Sequence, residues 1–384
     1  MSSYGCSFPI EIIKERSRLQ EKIGYWLQLP FIALDTEFLR VDTFHPIAGL
    51  IQVCDDTGVY LIDPIEITDL SLLKPLLLGE TIKVMHSMSE DVVLFQQISD
   101  CIPANIFDTQ VACALLGQGI SLSYQNFIER YLGLVIDKGE TRSDWTKRPL
   151  SDSQLEYAAK DVHYLYEVYP QIQEKLDERG FSGVVQQECA LTNKGVLDAS
   201  TDLENYYLKF RGGWKLPLSS QAMLKILSTW REHEARKKDK PRGRIVSDKQ
   251  LLEIIELLPK SNNALQATNI LKPGQFRQYG AYIVESINSL LSDSPDVARI
   301  PRPLSGVKLD LYRSLKKAVE RIALDKDITP EFLGKKRLLE RFIQDAYEQK
   351  TSGKVVALSE SLGEWRIKLL NQAFKETIAS HFNE

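Results

Sequence analysis

The strand-like runs of this sequence are confined to a stretch that ends before residue 90. FIAL (31–34), AGLIQVC (48–54), VYLID (59–63) and TIKVMH (81–86) are short apolar segments of strand length. Thr57-Gly58 separates the second from the third and reads as a hairpin turn. Helical patterns are interleaved or follow at 91–98, 109–116, 121–131 and 152–178. Beyond about residue 200 only helices are predicted, at 219–238, 248–258, 274–292, 307–324, 330–350 and 359–381. A chain that places its strands first and then only helices is expected to form a mixed α/β domain with an antiparallel portion, followed by small all-α bundles. At 384 residues it is too long for one compact core, so two or three domains are expected. Prolines at 241, 259, 273, 301 and 303 punctuate the helical half, and SDSPDVARIPRPLSG (292–306) reads as a linker that divides it.

Composition narrows the class. The chain is 43% hydrophobic and 26% charged, as expected of a soluble globular protein, and its formal net charge of −4 implies no partner class. Five scattered cysteines without a C-x-x-C pair argue against a zinc site or a disulfide scaffold and suggest a reducing compartment. MSSYGCSFPIEIIKER lacks the basic-then-apolar pattern of a signal peptide, and no apolar run approaches the roughly 18 residues of a membrane span. A cytoplasmic protein with no membrane partner is therefore expected, and no obligate protein partner is evident.

The first strand carries an anomaly. FIALDTEFLR (31–40) is interrupted by Asp35 and Glu37, which share one face of a strand. Burying one carboxylate costs several kcal/mol unless something compensates it. Two readings stand: a solvated strand end, or a site for hard divalent cations, which prefer oxygen ligands. In HSMSED (86–91), Ser87 and Glu90 form an S-x-x-E capping pattern, and Asp91 falls in the first turns of the helix they predict. In PLSDSQLEYAAKDVHYLYEV (149–168), Ser151 and Gln154 form another. Tyr157 and Asp161 then lie four apart on one helix face, beside the core-like Tyr164, Leu165 and Val168. A buried Tyr–Asp hydrogen bond is the alternative for that pair.

In this order, D-x-E, a later Asp and Y-x-x-x-D resemble the DEDD superfamily of 3′→5′ exonucleases, in its tyrosine-containing branch. ALDTEF, GLIQV, YLIDP, HSMSEDVVLF, NIFDTQVA and TRSDWTKRPLSDSQLEYAAKDVHYL extend the likeness, as does a helical C-terminal region containing WREHEARKKDKPRG. Together they resemble the ribonuclease D family over almost the whole chain, most weakly in the last 90 residues. The resemblance implies a ribonuclease H-like exonuclease domain over 1–205, an HRDC domain over 211–296 and a second HRDC-like helical domain over 303–384. It also implies two Mg²⁺ or Mn²⁺ ions held by Asp35, Glu37, Asp91 and Asp161, with Tyr157 orienting the attacking water. Two such ions about 4 Å apart suit the attacking and leaving oxygens of an in-line displacement. The implied activity is metal-dependent 3′→5′ trimming of RNA, with 5′-mononucleotides as products and tRNA precursors and other structured RNAs, entering by single-stranded 3′ tails, as substrates. The α/β half carries every acid of this pattern and is expected to fold and cleave without the bundles.

Substrate contacts are less sharply indicated. Phe38 and Leu39 follow the acids and either stack on the terminal base or pack in the core. His86 either bonds a phosphate or plays no part. Arg142 and Trp145, in TRSDW, either touch sugar and base or anchor their loop. In the 230–244 run, Arg236, Lys237 and Lys238 are expected phosphate contacts, a solvated charged face being the alternative. The competing functions are a DNA exonuclease using the same acids and a nucleic-acid-binding scaffold with an inert nuclease fold.

Overall fold

A computed structural model describes residues 8–136, 139–290, 297–351 and 362–383. Its first elements are β1 (Ile10–Ile13), α1 (Arg16–Trp26), β2 (Phe31–Leu39), β3 (Ile47–Cys54), β4 (Val59–Ile62), α2 (Lys74–Leu78), β5 (Ile82–Met85), α3 (Ser89–Ser99) and β6 (Ile106–Asp108). They are followed by α4 (Thr109–Leu115), α5 (Tyr124–Leu132), α6 (Asp152–Glu178) and α7 (Val184–Thr201). The strands form one mixed sheet in the order β1-β4-β3-β2-β5-β6, with β3 and β4 antiparallel and the β1–β4, β2–β5 and β5–β6 pairs parallel. Its central strands are buried on both sides, which is why they read as apolar runs without alternation. The predicted hairpin turn is present: Asp55 N–H donates to the Gly58 carbonyl at 3.0 Å, and the Asp55 carboxylate accepts from the amides of Thr57 and Gly58.

Two short strands, β1 and β6, were not anticipated. They lie at opposite edges of the sheet and span four and three residues, too few for a pattern to show. The helix expected at 91–98 begins at Ser89, but not through a Ser87–Glu90 capping box. Ser87 has φ +63°, and the Asp108 carboxylate accepts from the amides of Ser87 and Met88, each at 3.0 Å. A cap supplied from β6 is invisible to local pattern. The Ser151–Gln154 capping box does form and starts α6.

The helical half comprises α8 (Leu218–Lys237), α9 (Arg242–Ile245), α10 (Asp248–Leu257), α11 (Asn262–Ala267) and α12 (Pro273–Leu290). Then come α13 (Val307–Asp325), α14 (Pro330–Leu333), α15 (Lys336–Thr351) and α16 (Glu364–Asn383). The single helix expected over 330–350 is broken at Gly334, where a Cβ would come within 2.7 Å of Val319. The expected linker falls partly outside the described residues, as does the start of the helix expected at 359–381. No helix among the described residues is long and apolar enough to cross a membrane.

The chain divides into two compact units. One comprises Met1–Phe38, Ala48–Lys194 and Leu304–Glu384; the other comprises Leu39–Ile47 and Gly195–Pro303. In the first, α13–α16 pack with the sheet domain. Thr329 N–H donates to the Ala114 carbonyl and Gly119 N–H to the Thr329 hydroxyl, both at 3.0 Å. Glu188 of α7 is 2% exposed and receives the Arg366 guanidinium through both oxygens, the Trp365 indole N–H at 3.0 Å and Lys335 at 3.0 Å. The sheet half thus buries a carboxylate whose partners among the described residues, Lys335, Trp365 and Arg366, come from the C-terminal helical region. Deleting those helices leaves that charge unpaired, so independent folding of the α/β half is no longer expected.

In the second unit, α8–α12 enclose a core that includes Leu224, Leu227, Leu251, Ile254 and Ile283, and Phe44 joins it. The Asp239 carboxylate accepts from the amides of Phe44 and His45 at 3.0 and 2.9 Å, which fixes the 40–46 loop to this bundle.

Candidate active site

The site is built where β2, α3 and α6 converge. The carboxylate oxygens of Asp35, Glu37 and Asp161 approach within 4.8 Å of one another. The D-x-E spacing places the first two side by side, and the capping box that starts α6 helps set the register presenting Tyr157 and Asp161 one turn apart. Asp91, from α3, is not one of these three clustered acids but lines the same cavity. It is buried, and its carboxylate accepts the hydroxyl of Thr36, the residue between the two strand acids. All four acids line one cavity of about 220 Å³, together with Thr36, Phe38, His86, Tyr124, Tyr157 and Leu165. A second cavity of about 270 Å³ shares Tyr157 and Asp161 as part of its wall.

The electrostatics of the cluster are those of crowded acids in a poorly solvated place. Burial, then the charge of Asp161, raises the pKa of Asp35 well above the carboxylate range. Burial, then the charges of Asp35, Asp161 and Asp91, pushes Glu37 up to about 10. Asp161 is raised by burial, with a hydrogen bond from Tyr157 pulling the other way. Asp91 is raised by burial and by Asp35, against the Thr36 hydrogen bond. Among the described residues no cationic side chain offsets Asp35, Glu37 or Asp161. An all-oxygen donor set with uncompensated charge suits hard divalent cations.

Tyr157 stands 3.4 Å from the Thr141 hydroxyl. Burial and the nearby Asp161 raise its pKa, so it stays a neutral phenol.

The expected substrate contacts separate. Phe38 lines the cavity and Leu39 does not. His86 lines it, but both ring nitrogens are committed, Nδ1 to the Thr109 hydroxyl at 2.8 Å and Nε2 to the Leu122 carbonyl at 3.0 Å. That leaves neither nitrogen for a phosphate. Trp145 is 2% exposed and packs against Gly49, where a Cβ would lie 2.5 Å from its own Cβ. It anchors its loop, helped by Arg148, which bonds the Asp63 carboxylate and the Gly49 carbonyl. Arg142 is exposed and outside the cavity wall.

The basic residues of the 230–244 run are largely turned inward. The Arg236 guanidinium lies 5.1 Å from the centre of the Phe44 ring, and Arg242 bonds the buried Glu232. Lys238 pairs with Glu234 at 2.8 Å and with the Tyr279 hydroxyl at 3.2 Å. Arg231 is fully buried, bonded to the Val246 carbonyl and to Asp248. Lys237 and Lys240 are exposed to solvent. Trp230 packs half-buried against the core of its unit, its ring stacked on Tyr282 at 4.9 Å.

Two residues of the site escaped sequence reasoning. Thr36 sat inside the quoted motif, and its spacing carried no hint that it reaches across to Asp91. Tyr124 opens α5 and donates its hydroxyl to the Asp161 carbonyl at 2.5 Å. Its only local signal is the Ser123 N-cap.

Known proteins resemble the chain throughout. Residues 10–177 match the 3′-5′ exonuclease family and residues 220–287 the HRDC domain family. Ribonuclease D of Pseudomonas paraeruginosa is 33% identical over 374 residues, covering 97% of this chain and 98% of the relative. Ribonuclease D of Escherichia coli is 30% identical over 362 residues, covering 92% and 94%. The crystal structure of Escherichia coli RNase D, described as an exoribonuclease involved in structured RNA processing, superposes with a TM-score of 0.86 at 27% identity, covering 97% of this chain and 99% of that one. The catalytic core of RRP6 from Trypanosoma brucei shares the fold, with a TM-score of 0.55 at 21% identity over 75% of this chain and 81% of that one. The chain belongs to the ribonuclease D family of 3′-5′ exoribonucleases, whose chemistry depends on divalent metal.

Proposed function

We propose that this exoribonuclease releases 5′-mononucleotides from the 3′ ends of tRNA precursors and other structured RNAs in the cytoplasm. It does so with two Mg²⁺ or Mn²⁺ ions held by Asp35, Glu37, Asp91 and Asp161. The observation that carries the reading is the convergence of four acids from β2, α3 and α6 on one cavity, with no cationic side chain among the described residues offsetting the three that cluster. When bound, the ions offset the charge of the phosphodiester and favour in-line displacement by water.

The remaining work belongs to the chain's own residues. The Tyr157 phenol, beside Asp161 and Thr141, directs a water by hydrogen bonding. Phe38 offers the cavity an apolar wall for a terminal base. Thr36 keeps Asp91 turned toward the strand acids. The sequence modules 1–205, 211–296 and 303–384 divide the work into chemistry and RNA grip. Lys237 and Lys240 are solvent-exposed members of the 230–244 run open to a phosphate.

Incubating the purified protein with a 3′-extended tRNA, with and without EDTA, tests this. Stepwise shortening from the 3′ end that releases 5′-mononucleotides and stops in EDTA is expected. Cleavage that persists in EDTA would remove the metal assignment. Equal rates on matched RNA and DNA oligonucleotides would favour the DNA-exonuclease reading.

A further inference from the structure

Asp161 is held from outside its own helix. The Tyr124 hydroxyl donates to its main-chain carbonyl at 2.5 Å and lies 3.3 Å from that of Lys160. Carbonyls inside an α-helix already accept an amide four residues on, so this bond is an addition to α6. It ties the turn carrying Asp161 to the first residue of α5.

That first residue follows a segment with little regular structure, in which Gly117 and Gly119 have positive φ and Ile120 is exposed. The segment is secured just before Tyr124. The Leu122 carbonyl accepts from His86 Nε2 at 3.0 Å and from the Gln110 side-chain amide at 3.2 Å. A carbonyl only accepts, so Nε2 carries the ring proton. Nδ1 lies 2.8 Å from the oxygen of Thr109, whose hydroxyl donates to the Met85 carbonyl at 3.1 Å. The His86 ring meets that of Tyr124 edge-on at 5.6 Å. A continuous path therefore runs from α4 through the end of β5 and the start of α5 to Asp161.

We infer that Tyr124 is a positioning residue of the reaction, its hydroxyl fixing the backbone of Asp161, and that His86 acts through it by bracing the turn from which it projects. This rests on reading Asp161 as one of the reaction's carboxylates. A functional group must be held within about 0.5 Å of its working place, and α6 presents Asp161 from one side only. Tyr124 and His86 also line the cavity, so a direct contact with RNA is the role to be distinguished.

Tyr124→Phe in the full-length protein keeps the ring and removes only the hydroxyl. On a short unstructured RNA, kcat is expected to fall about 10-fold with KM unchanged, and the Kd for Mn²⁺ of the RNA-free protein to weaken several-fold, as for other loosened supports of a ligand. The melting temperature should shift by only a few degrees. His86→Gln should give a smaller loss in kcat. The double variant should be no worse than Tyr124→Phe alone, because both act through one bond. A raised KM with unchanged kcat would make Tyr124 an RNA contact and overturn the inference, as would unchanged kinetics and Mn²⁺ affinity, or losses that multiply in the double variant. Asp161→Asn, measured alongside, separates the two readings: if it retained full turnover, the assignment of Asp161 itself would fall.

Discussion

Replacing Arg366 by methionine should destabilise the nuclease unit by about 3 kcal/mol, and the reason lies in Glu188. Burial alone pushes that carboxyl up, but the hydrogen bonds and charge of Arg366, followed by Lys335, reverse the effect and hold it at about 2, against an ordinary value of 4.5. A difference of roughly 2.5 units at about 1.4 kcal/mol each amounts to about 3–4 kcal/mol. The folded value lies below the unfolded one. The contribution is therefore present above about pH 4.5 and is lost as pH falls toward 2. In Arg366→Met the buried carboxylate keeps, among the described residues, Trp365 and the half-exposed Lys335 as partners. Breaking one side of such a pair costs about 3–5 kcal/mol, whereas replacing both sides with apolar groups is often neutral. Glu188→Leu with Arg366→Met should accordingly recover most of the loss. Urea unfolding at pH 7, followed by circular dichroism, measures all three proteins. In Glu188→Gln, the fall in stability between pH 4.5 and 2 should be shallower than in wild type. A loss below about 1 kcal/mol in Arg366→Met, or a double variant as unstable as the single one, would refute the reasoning.

Asp35→Asn, Glu37→Gln, Asp91→Asn and Asp161→Asn should each abolish cleavage while the protein stays folded, as turnover at saturating Mg²⁺ and circular dichroism will show. In EDTA these carboxyls are raised above their unfolded values, so wild-type stability should decline as pH rises from about 4 toward the 10 or so reached by Glu37. Glu37→Gln should then melt above wild type at pH 8 in EDTA, and a wild-type melting temperature independent of pH would speak against crowding of the acids. Tyr157→Phe should lose roughly 10²-fold in kcat with packing intact; a fully active variant would leave Tyr157 as a structural partner of Asp161. Lys237→Glu with Lys240→Glu should weaken binding of a tRNA precursor and reduce its salt slope by about 0.7–0.9 for each phosphate that is no longer neutralised. Arg236→Glu should instead lower the stability of the bundle, because its guanidinium sits over Phe44; melting curves and filter binding distinguish the two effects.

Much of the candidate site was legible in the sequence because its spacing is set by covalent geometry. A two-residue period puts Asp35 and Glu37 on one face of any strand, and a four-residue period puts Tyr157 and Asp161 on one face of any helix. The Ser151–Gln154 box and the Asp55–Gly58 turn are equally local, and both formed as expected. What the tertiary structure alone decided involves partners far apart in sequence. Asp108 caps α3 in place of Ser87, Thr36 reaches Asp91, and Tyr124 reaches Asp161. The same holds for charge. A lysine or arginine looks alike in sequence whether it faces water or a buried carboxylate, yet Lys335, Arg366 and Arg242 all face buried acids. Burial makes such an unpaired acid so costly that a distant part of the chain must answer it. That is why the last helices, which looked like a separable bundle, are bound to the nuclease through Glu188.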